Sequence, residues 1–195
     1  MVVNESRREL LADSALAVLG SEGSRGLTHR AVDARAGVPA GTTANYFPSR
    51  AALFTGMGGR IFERVAPEPD RLADLAQREP DHETFIAYTR YIVERLLRAP
   101  ELALALFELR LETARNPSLA EEMGAFLRLG LASDIRFSNE RGLPAGRAEI
   151  TMLHYAIDGL VLDRLTTPIS PDDDPLATIE EITRRIVQLR HDRGS

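Results

Sequence analysis

With 195 residues, the chain is long enough to bury a substantial core, and it fits one large domain or a small domain joined to a larger one. The apolar fraction of 44% and the charged fraction of 27% exclude a disordered chain, and the lack of cysteine excludes disulfides and thiolate chemistry. The net charge of −5 argues against a uniformly basic nucleic-acid-binding protein, but this charge is unevenly distributed. Residues 1–65 hold eight Arg and six acidic residues, a net charge of +2, so the remaining residues carry −7.

The N-terminal sequence has no apolar signal core, and no apolar run approaches the roughly 20 residues that a membrane span needs. The lack of cysteine is typical of a reducing compartment. We therefore expect a cytoplasmic protein with no membrane partner.

Apolar periodicity and capping residues predict four helices in the first 65 residues, over residues 5–23, 28–37, 40–47 and 50–65. Gly20 and Gly23 are expected to end the first helix. Thr28 and Ser49 are predicted N-caps of the second and fourth, because a hydroxyl accepts hydrogen bonds from the backbone N–H groups of the first turn. Gly37 predicts a tight turn between the second and third, because glycine tolerates positive φ.

Residues 66–70 are polar and contain two prolines, which is typical of a domain junction. Beyond the junction, helical periodicity continues over residues 81–98, 100–115, 118–141, 145–165 and about 176–189. No stretch alternates with a period of two for long enough to predict a strand. The expected fold class is all-α, with about nine helices.

The two short helices on either side of Gly37 form a helix-turn-helix pattern. The second helix of such a motif enters the DNA major groove, about 12 Å wide, with short polar side chains towards the bases and larger residues on the phosphates. Small side chains on the second helix and donors at its flanks predict DNA contacts at Thr28, Arg30, Ala40, Gly41, Thr42, Thr43, Asn45, Tyr46 and Arg50. The alternative is that these residues form a solvated helix surface, with Tyr46 packed on the small core beside Phe47.

Several short motifs occur in a characteristic order and spacing: Leu27-Thr28, Ala36-Gly37-Val38, Gly41-Thr42 and the run from Tyr46 to Phe54. In these motifs, over roughly residues 8–55, the chain resembles the TetR family of one-component transcriptional repressors. It departs from the family at Thr43 and Ala44, where a bulky apolar residue and an aromatic residue are common, and at Arg50, where Lys is common. The first departure leaves open whether Thr43 or Asn45 reads the bases.

The resemblance implies a homodimer with a helix-turn-helix DNA-binding domain over residues 1–48, a connector helix over residues 49–65, and a ligand-binding and dimerisation domain over residues 66–195. A symmetric dimer is expected to bind double-stranded DNA at a palindromic operator whose half-sites lie about 34 Å apart, or a multiple of that distance. A small-molecule effector is expected to favour a dimer whose DNA-binding heads are wrongly spaced, and so to release the DNA.

Aromatic and charged residues of the C-terminal part are candidates for the ligand pocket: Tyr88, Tyr91, Phe107, Arg110, Phe126, His154 and Asp158. An ordinary core remains the alternative for the aromatic residues, and internal ion pairs for the charged ones. Apolar stripes on the last two predicted helices are the candidate dimer interface: Ile150, Leu153, Ile157, Leu160, Ile179, Ile182, Ile186 and Leu189.

The histidines show no ligand spacing among themselves, and His154 with Asp158 and Glu149 is only a weak metal pattern, so no metal site or cofactor is predicted. No nucleophile, base and orienting acid can be assembled, and an enzyme is not expected. The main alternative to a regulator is a helical ligand-binding or protein-interaction module that does not bind DNA.

Overall fold

The structure is a computed structural model that describes residues 4–193, without the side chains of residues 118 and 188–193. Every regular element in this part of the chain is a helix, which confirms the predicted all-α class. The helices described are α1 Glu5–Gly26, α2 His29–Ala36, α3 Thr42–Tyr46, α4 Arg50–Arg64, α5 Pro69–Ala76, α6 His82–Arg98, α7 Pro100–Thr113, α8 Pro117–Arg141, α9 Arg147–Leu165 and α10 Pro175–Arg193. None of these helices has the length and apolar character needed to cross a membrane.

The chain divides into two compact units. The first consists of the residues up to Ala66 together with Ala99–Phe126, and the second consists of Pro67–Arg98 together with the chain from Leu127. The sequence analysis assigned all residues after 65 to one domain, whereas residues 99–126 pack within the first unit. The functional division into a DNA-binding and a ligand-binding domain stays a prediction.

Helix α5 is absent from the sequence prediction, so the chain has ten helices in its described part rather than about nine. Residues 66–70 were interpreted as a junction because of their prolines, and the boundary between the two units falls among them, after Ala66. The prediction did not include the helix that follows: Pro69 occupies the first turn of α5, where its missing N–H breaks no helical hydrogen bond and its fixed φ suits the helix. A second difference is α3, which covers only Thr42–Tyr46.

Of the two glycines that were expected to end α1, Gly23 breaks the regular helix and Gly20 does not. Gly23 interrupts the helix with φ 68° and ψ −177°, and the helix then resumes as far as Gly26. Gly20 has a different role, because a Cβ at this position would lie 2.0 Å from the carbonyl oxygen of Glu101 in α7. The glycine therefore permits a close contact between α1 and α7 within the first unit.

The predicted N-caps are confirmed. The Thr28 hydroxyl accepts a hydrogen bond from the Ala31 amide and the Ser49 hydroxyl accepts one from the Ala52 amide, both at 3.1 Å. Each cap satisfies one of the backbone donors left free in the first turn of a helix, and so fixes where α2 and α4 begin.

Each unit has its own apolar core. The first core joins an apolar stripe of α1 to residues of α2, α4, α7 and α8 and to Phe47, which directly follows α3; its members include Leu11, Ala15, Val18, Leu19, Phe47 and Phe54. The second core joins α6, α9 and α10 and includes Phe85, Tyr88, Tyr91, Ile150, Leu153 and Val187.

Helix α4 is fastened to α1 by an ion pair between Arg60 and Asp13. The guanidinium donates from Nε to Oδ1 and from Nη2 to Oδ2, both at 2.9 Å, and Arg60 also pairs with Glu63. The hydrogen bonds to Asp13 raise the pKa of Arg60 above its ordinary value, although burial opposes this effect. Such a two-point contact fixes the orientation of both side chains.

Candidate nucleic-acid interface

Residues 37–41 form the turn between α2 and α3. Gly37 and Gly41 both have positive φ, +64° and +90°, a region that L side chains adopt only with strain. The Thr42 hydroxyl donates to the carbonyl oxygen of Pro39 at 2.6 Å, and this hydrogen bond joins the first residue of α3 to the turn. The two glycines therefore set the angle at which α3 leaves α2.

Asp33, a buried residue of α2, holds the start of α3. One carboxylate oxygen accepts the Gly41 amide at 2.7 Å, and the other accepts both the Thr43 amide at 2.7 Å and the Thr43 hydroxyl at 2.5 Å. Burial raises the pKa of Asp33, but the hydrogen bonds from Thr43 and Gly41 outweigh burial and lower the pKa below its ordinary value. The carboxylate also lies at the N-terminus of a helix, which stabilises a negative charge.

The sequence analysis did not identify Asp33. A signal was available, because an acidic residue lies beside Val32 on the face of α2 that packs against the core. A carboxylate in such a position must find donors. The donors lie eight and ten residues further along the chain, so they could not be recognised before the turn was known to bring them close to Asp33.

Thr43 corrects the predicted DNA surface. Its side chain is fully buried and its hydroxyl donates to Asp33, so it is not available to a base or a phosphate. The position where the family commonly has a bulky apolar residue is thus buried in this chain and is filled by a hydroxyl with a buried acceptor. The question of whether Thr43 or Asn45 faces outward is answered in favour of Asn45, which is exposed.

The other predicted residues of the motif lie at the surface. Ala40, Gly41 and Asn45 are exposed and Thr42 and Tyr46 are half-buried, while Thr28 and Arg30 are exposed at the start of α2. The ring of Tyr46 packs partly against the first core, and the neighbouring Phe47 is fully buried, as predicted. α3 thus presents a narrow outer surface of small and short polar groups on a rigid base.

Arg50 has a structural role that the sequence did not show. Its guanidinium donates to the carbonyl oxygens of Leu27 at 2.8 Å and Ser24 at 2.6 Å, and to the Ser24 hydroxyl at 2.7 Å. It also lies 5.0 Å from the centre of the Phe54 ring. These contacts use most of the donors that were predicted to bind a phosphate, and they tie the start of α4 to the end of α1.

Arg8 is a further cation beside α3 that the sequence analysis did not include. Its guanidinium lies 4.6 Å from the centre of the Phe47 ring and donates to the carbonyl oxygen of Tyr46 at 3.4 Å. The last turn of α3 therefore ends beside a positive charge, which suits both the helix C-terminus and a nearby polyanion.

The predicted ligand-pocket residues are divided between the two units. Phe107, Arg110 and Phe126 belong to the first unit, where Phe126 stacks on Phe62 with ring centres 4.5 Å apart. An open groove of about 400 Å³ in the same unit is lined by residues of α1, α4 and α7, among them Asp13, Arg64 and Glu101, and it includes none of the predicted pocket residues.

Tyr88, Tyr91, His154 and Asp158 belong to the second unit. Both tyrosines are buried in its core, and His154 pairs with Asp134 of α8 through Nε2 and Oδ2 at 2.9 Å. The weak metal pattern is not assembled, because the Glu149 carboxylate instead accepts the Gly146 amide at 2.8 Å as part of the α9 N-cap. Among the described residues, no group of three or more His, Asp or Glu side chains could hold a metal ion.

The predicted dimer residues lie largely inside the protomer. Ile150, Leu153, Ile157 and Ile179 are buried in the single chain, so their side chains pack inside the protomer rather than on its surface. The dimer interface itself stays a prediction. Leu160, Ile182 and Ile186 are half-buried, the two isoleucines against the second core, and the Leu189 side chain lies outside the described residues.

Helix α9 has a second apolar stripe that the chain itself leaves open. Met152, Tyr155 and Leu162 are 39%, 71% and 44% exposed, and Gly159 lies between them in the same helical register. Contiguous exposed apolar side chains on one helix face are typical of a protein–protein contact.

Comparison with known proteins identifies relatives by sequence. The family model described as "Tetracyclin repressor-like, C-terminal domain" matches residues 80–189. The HTH-type transcriptional repressor KstR of Mycolicibacterium smegmatis is 35% identical over 119 residues, which are 60% of this chain and 48% of KstR. KstR of Mycobacterium tuberculosis is 37% identical over 117 residues, which are 60% of this chain and 44% of that protein. The matches thus span about half of the length of these curated relatives.

Solved structures show the same fold. A transcriptional regulator of Rhodococcus sp. Rha1 has a TM-score of 0.71 and 21% identity, with 93% of this chain and 96% of that chain covered. The multidrug binding protein EbrR, solved with imidazole, has a TM-score of 0.63 and 25% identity, with 92% and 94% covered. EbrR has also been solved with proflavin, at a TM-score of 0.60.

Proposed function

Because the chain belongs to the TetR family, we propose that it is a DNA-binding transcriptional regulator. In this proposal it is a repressor that binds a palindromic operator as a homodimer and is released by a small molecule. The observation that carries the proposal is the outer surface of α3, where Ala40, Gly41, Thr42 and Asn45 stand on a base fixed by Asp33. We propose no enzymatic activity for the chain, and we place its function in the cytoplasm.

The shape and chemistry of α3 support a role in the major groove. Ala40 and Gly41 have little or no side chain, so the backbone at the start of α3 can approach the floor of a groove about 12 Å wide. Thr42 and Asn45 are short and polar, which suits hydrogen bonds to base edges. Tyr46, Thr28 and Arg30 would contact phosphates and fix the position of the helix along the groove.

Rigidity matters because the reading helix is only five residues long. An isolated helix of this length does not persist in water. Asp33 satisfies two backbone donors at its start, and the Phe47 amide donates to the Thr43 carbonyl oxygen at 2.8 Å at its end. The helix is thereby ordered before it meets DNA, which lowers the entropy lost on binding.

Dimerisation is assigned to the exposed face of α9 formed by Met152, Tyr155, Gly159 and Leu162, in place of the buried stripe. A twofold axis through this face would bury the same apolar side chains from both protomers. Gly159 has no atom of the described chain within 4 Å of the position of a Cβ, so the helices of two protomers could approach closely there. Such a dimer would present two copies of α3 to half-sites about 34 Å apart, or a multiple of that distance.

An effector is proposed to bind in the second unit. The structurally similar EbrR has been solved with imidazole and with proflavin, which supports a ligand site in a fold of this kind. The effector would release the operator by binding more tightly to the dimer whose heads do not match the half-site spacing.

The proposal is tested by salt titration of the chain on the DNA upstream of its own gene and its neighbours. The logarithm of the affinity should fall linearly and steeply as the logarithm of the salt concentration rises, because phosphate contacts release counterions. Replacing both Thr42 and Asn45 with Ala should remove the preference for operator over random DNA. An affinity that does not change with salt would rule out the DNA-binding proposal.

A control variant in the same unit separates a loss of DNA contacts from a general effect of substitution. Ser21 is exposed on α1 and its hydroxyl donates to the carbonyl oxygen of Ala17 in the same helix. Ser21→Ala should leave operator affinity unchanged. A loss of affinity in this variant equal to that of the double variant would attribute both losses to the fold.

A further inference from the structure

One face of α6 in the second unit carries Tyr88, Tyr91 and Arg95. These residues are spaced by three and four positions, so their side chains follow one line along the helix. Tyr88 and Tyr91 are 5% and 3% exposed, and Nε and Nη1 of Arg95 are shielded from solvent. The line therefore leads from a partly exposed cation into the apolar interior of the unit.

Two members of this line have unused hydrogen-bonding groups. Among the described residues, the Tyr88 hydroxyl has no partner, and neither have Nε and Nη1 of Arg95. Tyr91 differs, because its hydroxyl oxygen accepts the Glu68 amide at 2.8 Å. Buried polar groups in folded proteins are nearly always paired, so unpaired ones indicate a missing partner.

The surroundings of Arg95 leave its charge only weakly compensated. Burial lowers the pKa of Arg95 below its ordinary value, and Tyr91, Glu68 and Asp134 oppose this shift without reversing it. Asp134 is engaged by His154. A guanidinium that no anion of the described chain pairs, in a shielded position, provides the planar, two-donor geometry that a carboxylate fits.

Aromatic rings border the same line. The Arg95 guanidinium lies 5.8 Å from the centre of the Tyr91 ring, and Phe137 of α8 meets Tyr88 edge to face with ring centres 5.2 Å apart. Apolar walls with a few convergent polar groups are the usual composition of a small-molecule site.

We propose that this line binds an apolar monocarboxylate, with the carboxylate on Arg95 and a second acceptor of the ligand on the Tyr88 hydroxyl. The two residues are seven apart, so their attachment points lie about 10 Å apart along the helix, which is comparable to the length of an extended eight-carbon chain. The inference rests on the proposed function in so far as it identifies the chemical class of the effector.

The first test is calorimetric titration of the full chain, without DNA, with octanoate and with octanamide as a neutral control. Octanoate is expected to bind about tenfold more tightly or better, since a hydrogen bond to a charged group is worth more than one to a neutral group. Arg95→Met should abolish this preference. The matched control is Arg98→Met, which removes an exposed arginine that pairs with Glu94 on the same helix; it should retain the preference.

The second test uses 8-hydroxyoctanoate, whose terminal hydroxyl can reach Tyr88. It should bind several-fold more tightly than octanoate to the native chain, and Tyr88→Phe should remove that advantage while leaving the preference for octanoate over octanamide. Equal binding of octanoate and octanamide by the native chain, or tighter binding of the cation ethidium than of octanoate, would overturn the proposal.

A third measurement needs no ligand. An unpaired buried charge destabilises the fold, so Arg95→Met should raise the melting temperature by about 2 °C or more, whereas Arg98→Met should not. A lower melting temperature for Arg95→Met would show that Arg95 has a structural partner, and would overturn the proposal.

The two proposals fail separately. Loss of the operator result with the octanoate result intact would refute only the DNA-binding function. A steep salt dependence on operator DNA together with equal octanoate and octanamide affinities would refute only the carboxylate site.

Discussion

Replacing Asp33 with Asn tests how the helix-turn-helix is held together. The substitution keeps the size of the side chain and removes its charge. The native carboxylate accepts three hydrogen bonds, two from backbone amides and one from the Thr43 hydroxyl. An amide has one acceptor oxygen, so its NH₂ group must face either the Gly41 amide or the two Thr43 donors.

The expected loss of stability is derived from these contacts. At least one hydrogen bond to a charged acceptor disappears, a loss of about 1.5–3 kcal/mol, and at least one donor is left buried without a partner, at about 1–3 kcal/mol. The two terms overlap because they share an atom pair, so we expect a total of about 2–4 kcal/mol. For a chain of this length, this lowers the melting temperature by about 5–15 °C.

The assay is urea unfolding monitored by circular dichroism, with Asp172→Asn as the control, because Asp172 is an exposed carboxylate in the turn before α10. The pKa of Asp33 is lowered in the folded protein, so its contribution is complete above the unfolded-state value of about 3.9 and is lost as the pH falls through the folded-state value. The stability difference between the native chain and Asp33→Asn should therefore be constant from pH 7 to about 5 and shrink below pH 4.

A stability of Asp33→Asn within about 0.5 kcal/mol of the Asp172→Asn control at pH 7 would refute this account, since surface substitutions fall in that range. A difference that grew on acidification would refute it as well. Operator affinity should fall together with stability, because α3 then starts without its anchor.

Further predictions concern the DNA surface, the dimer and the packing of α1. Asn45→Ala should lower operator affinity about tenfold or more with an unchanged circular dichroism spectrum, and an unaltered affinity would remove this residue from the reading surface. Tyr155→Glu should convert the dimer to a monomer in sedimentation velocity runs, and a persistent dimer would place the interface elsewhere. Gly20→Ala should cost about 1–3 kcal/mol of stability because its Cβ would meet the Glu101 carbonyl oxygen. Gly59→Ala should gain up to about 1 kcal/mol, because beyond the neighbouring backbone of α4 no atom of the described chain lies within 4 Å of the position of its Cβ. Similar melting temperatures for the two variants would contradict both expectations.

The sequence was sufficient to predict the class of fold and the motif, because helix caps and turn glycines act locally. Thr28, Ser49 and Gly37 each fix a helix boundary through contacts within four residues, and all three are found as expected. The helix that begins at Pro69 was missed because a proline both ends one helix and suits the start of another. A local signal of this kind locates a boundary but does not say whether a loop or a new helix comes after it.

The direction in which a side chain points was harder to predict than the helix that carries it. In a helix of five residues, polar side chains point to every side, so polarity alone could not separate the inward Thr43 from the outward Asn45. Helix α9 posed the same problem with apolar residues. It has one stripe through Leu153 and another through Tyr155, and periodicity does not say which of them the protomer buries itself.

The partners of charged residues could not be predicted at all. Asp33 and Arg50 each bind backbone groups that lie far away in sequence, and Arg95 is distinguished by guanidinium nitrogens that no group of the described chain pairs. The contacts of Asp33 and Arg50 depend on the tertiary arrangement, and the backbone atoms that they bind carry no sequence signature.

Helix α4 is attached to α1 by two of its own arginines, one near each end of α4. Arg50 binds the carbonyl oxygens of Ser24 and Leu27, where α1 gives way to α2, and Arg60 binds Asp13 in the middle of α1. Because of these two sets of contacts, α4 can neither rotate nor slide against α1 without breaking several hydrogen bonds of charged groups. Any displacement of α4 must therefore carry α1 with it, so we expect these two helices of the first unit to move as one body.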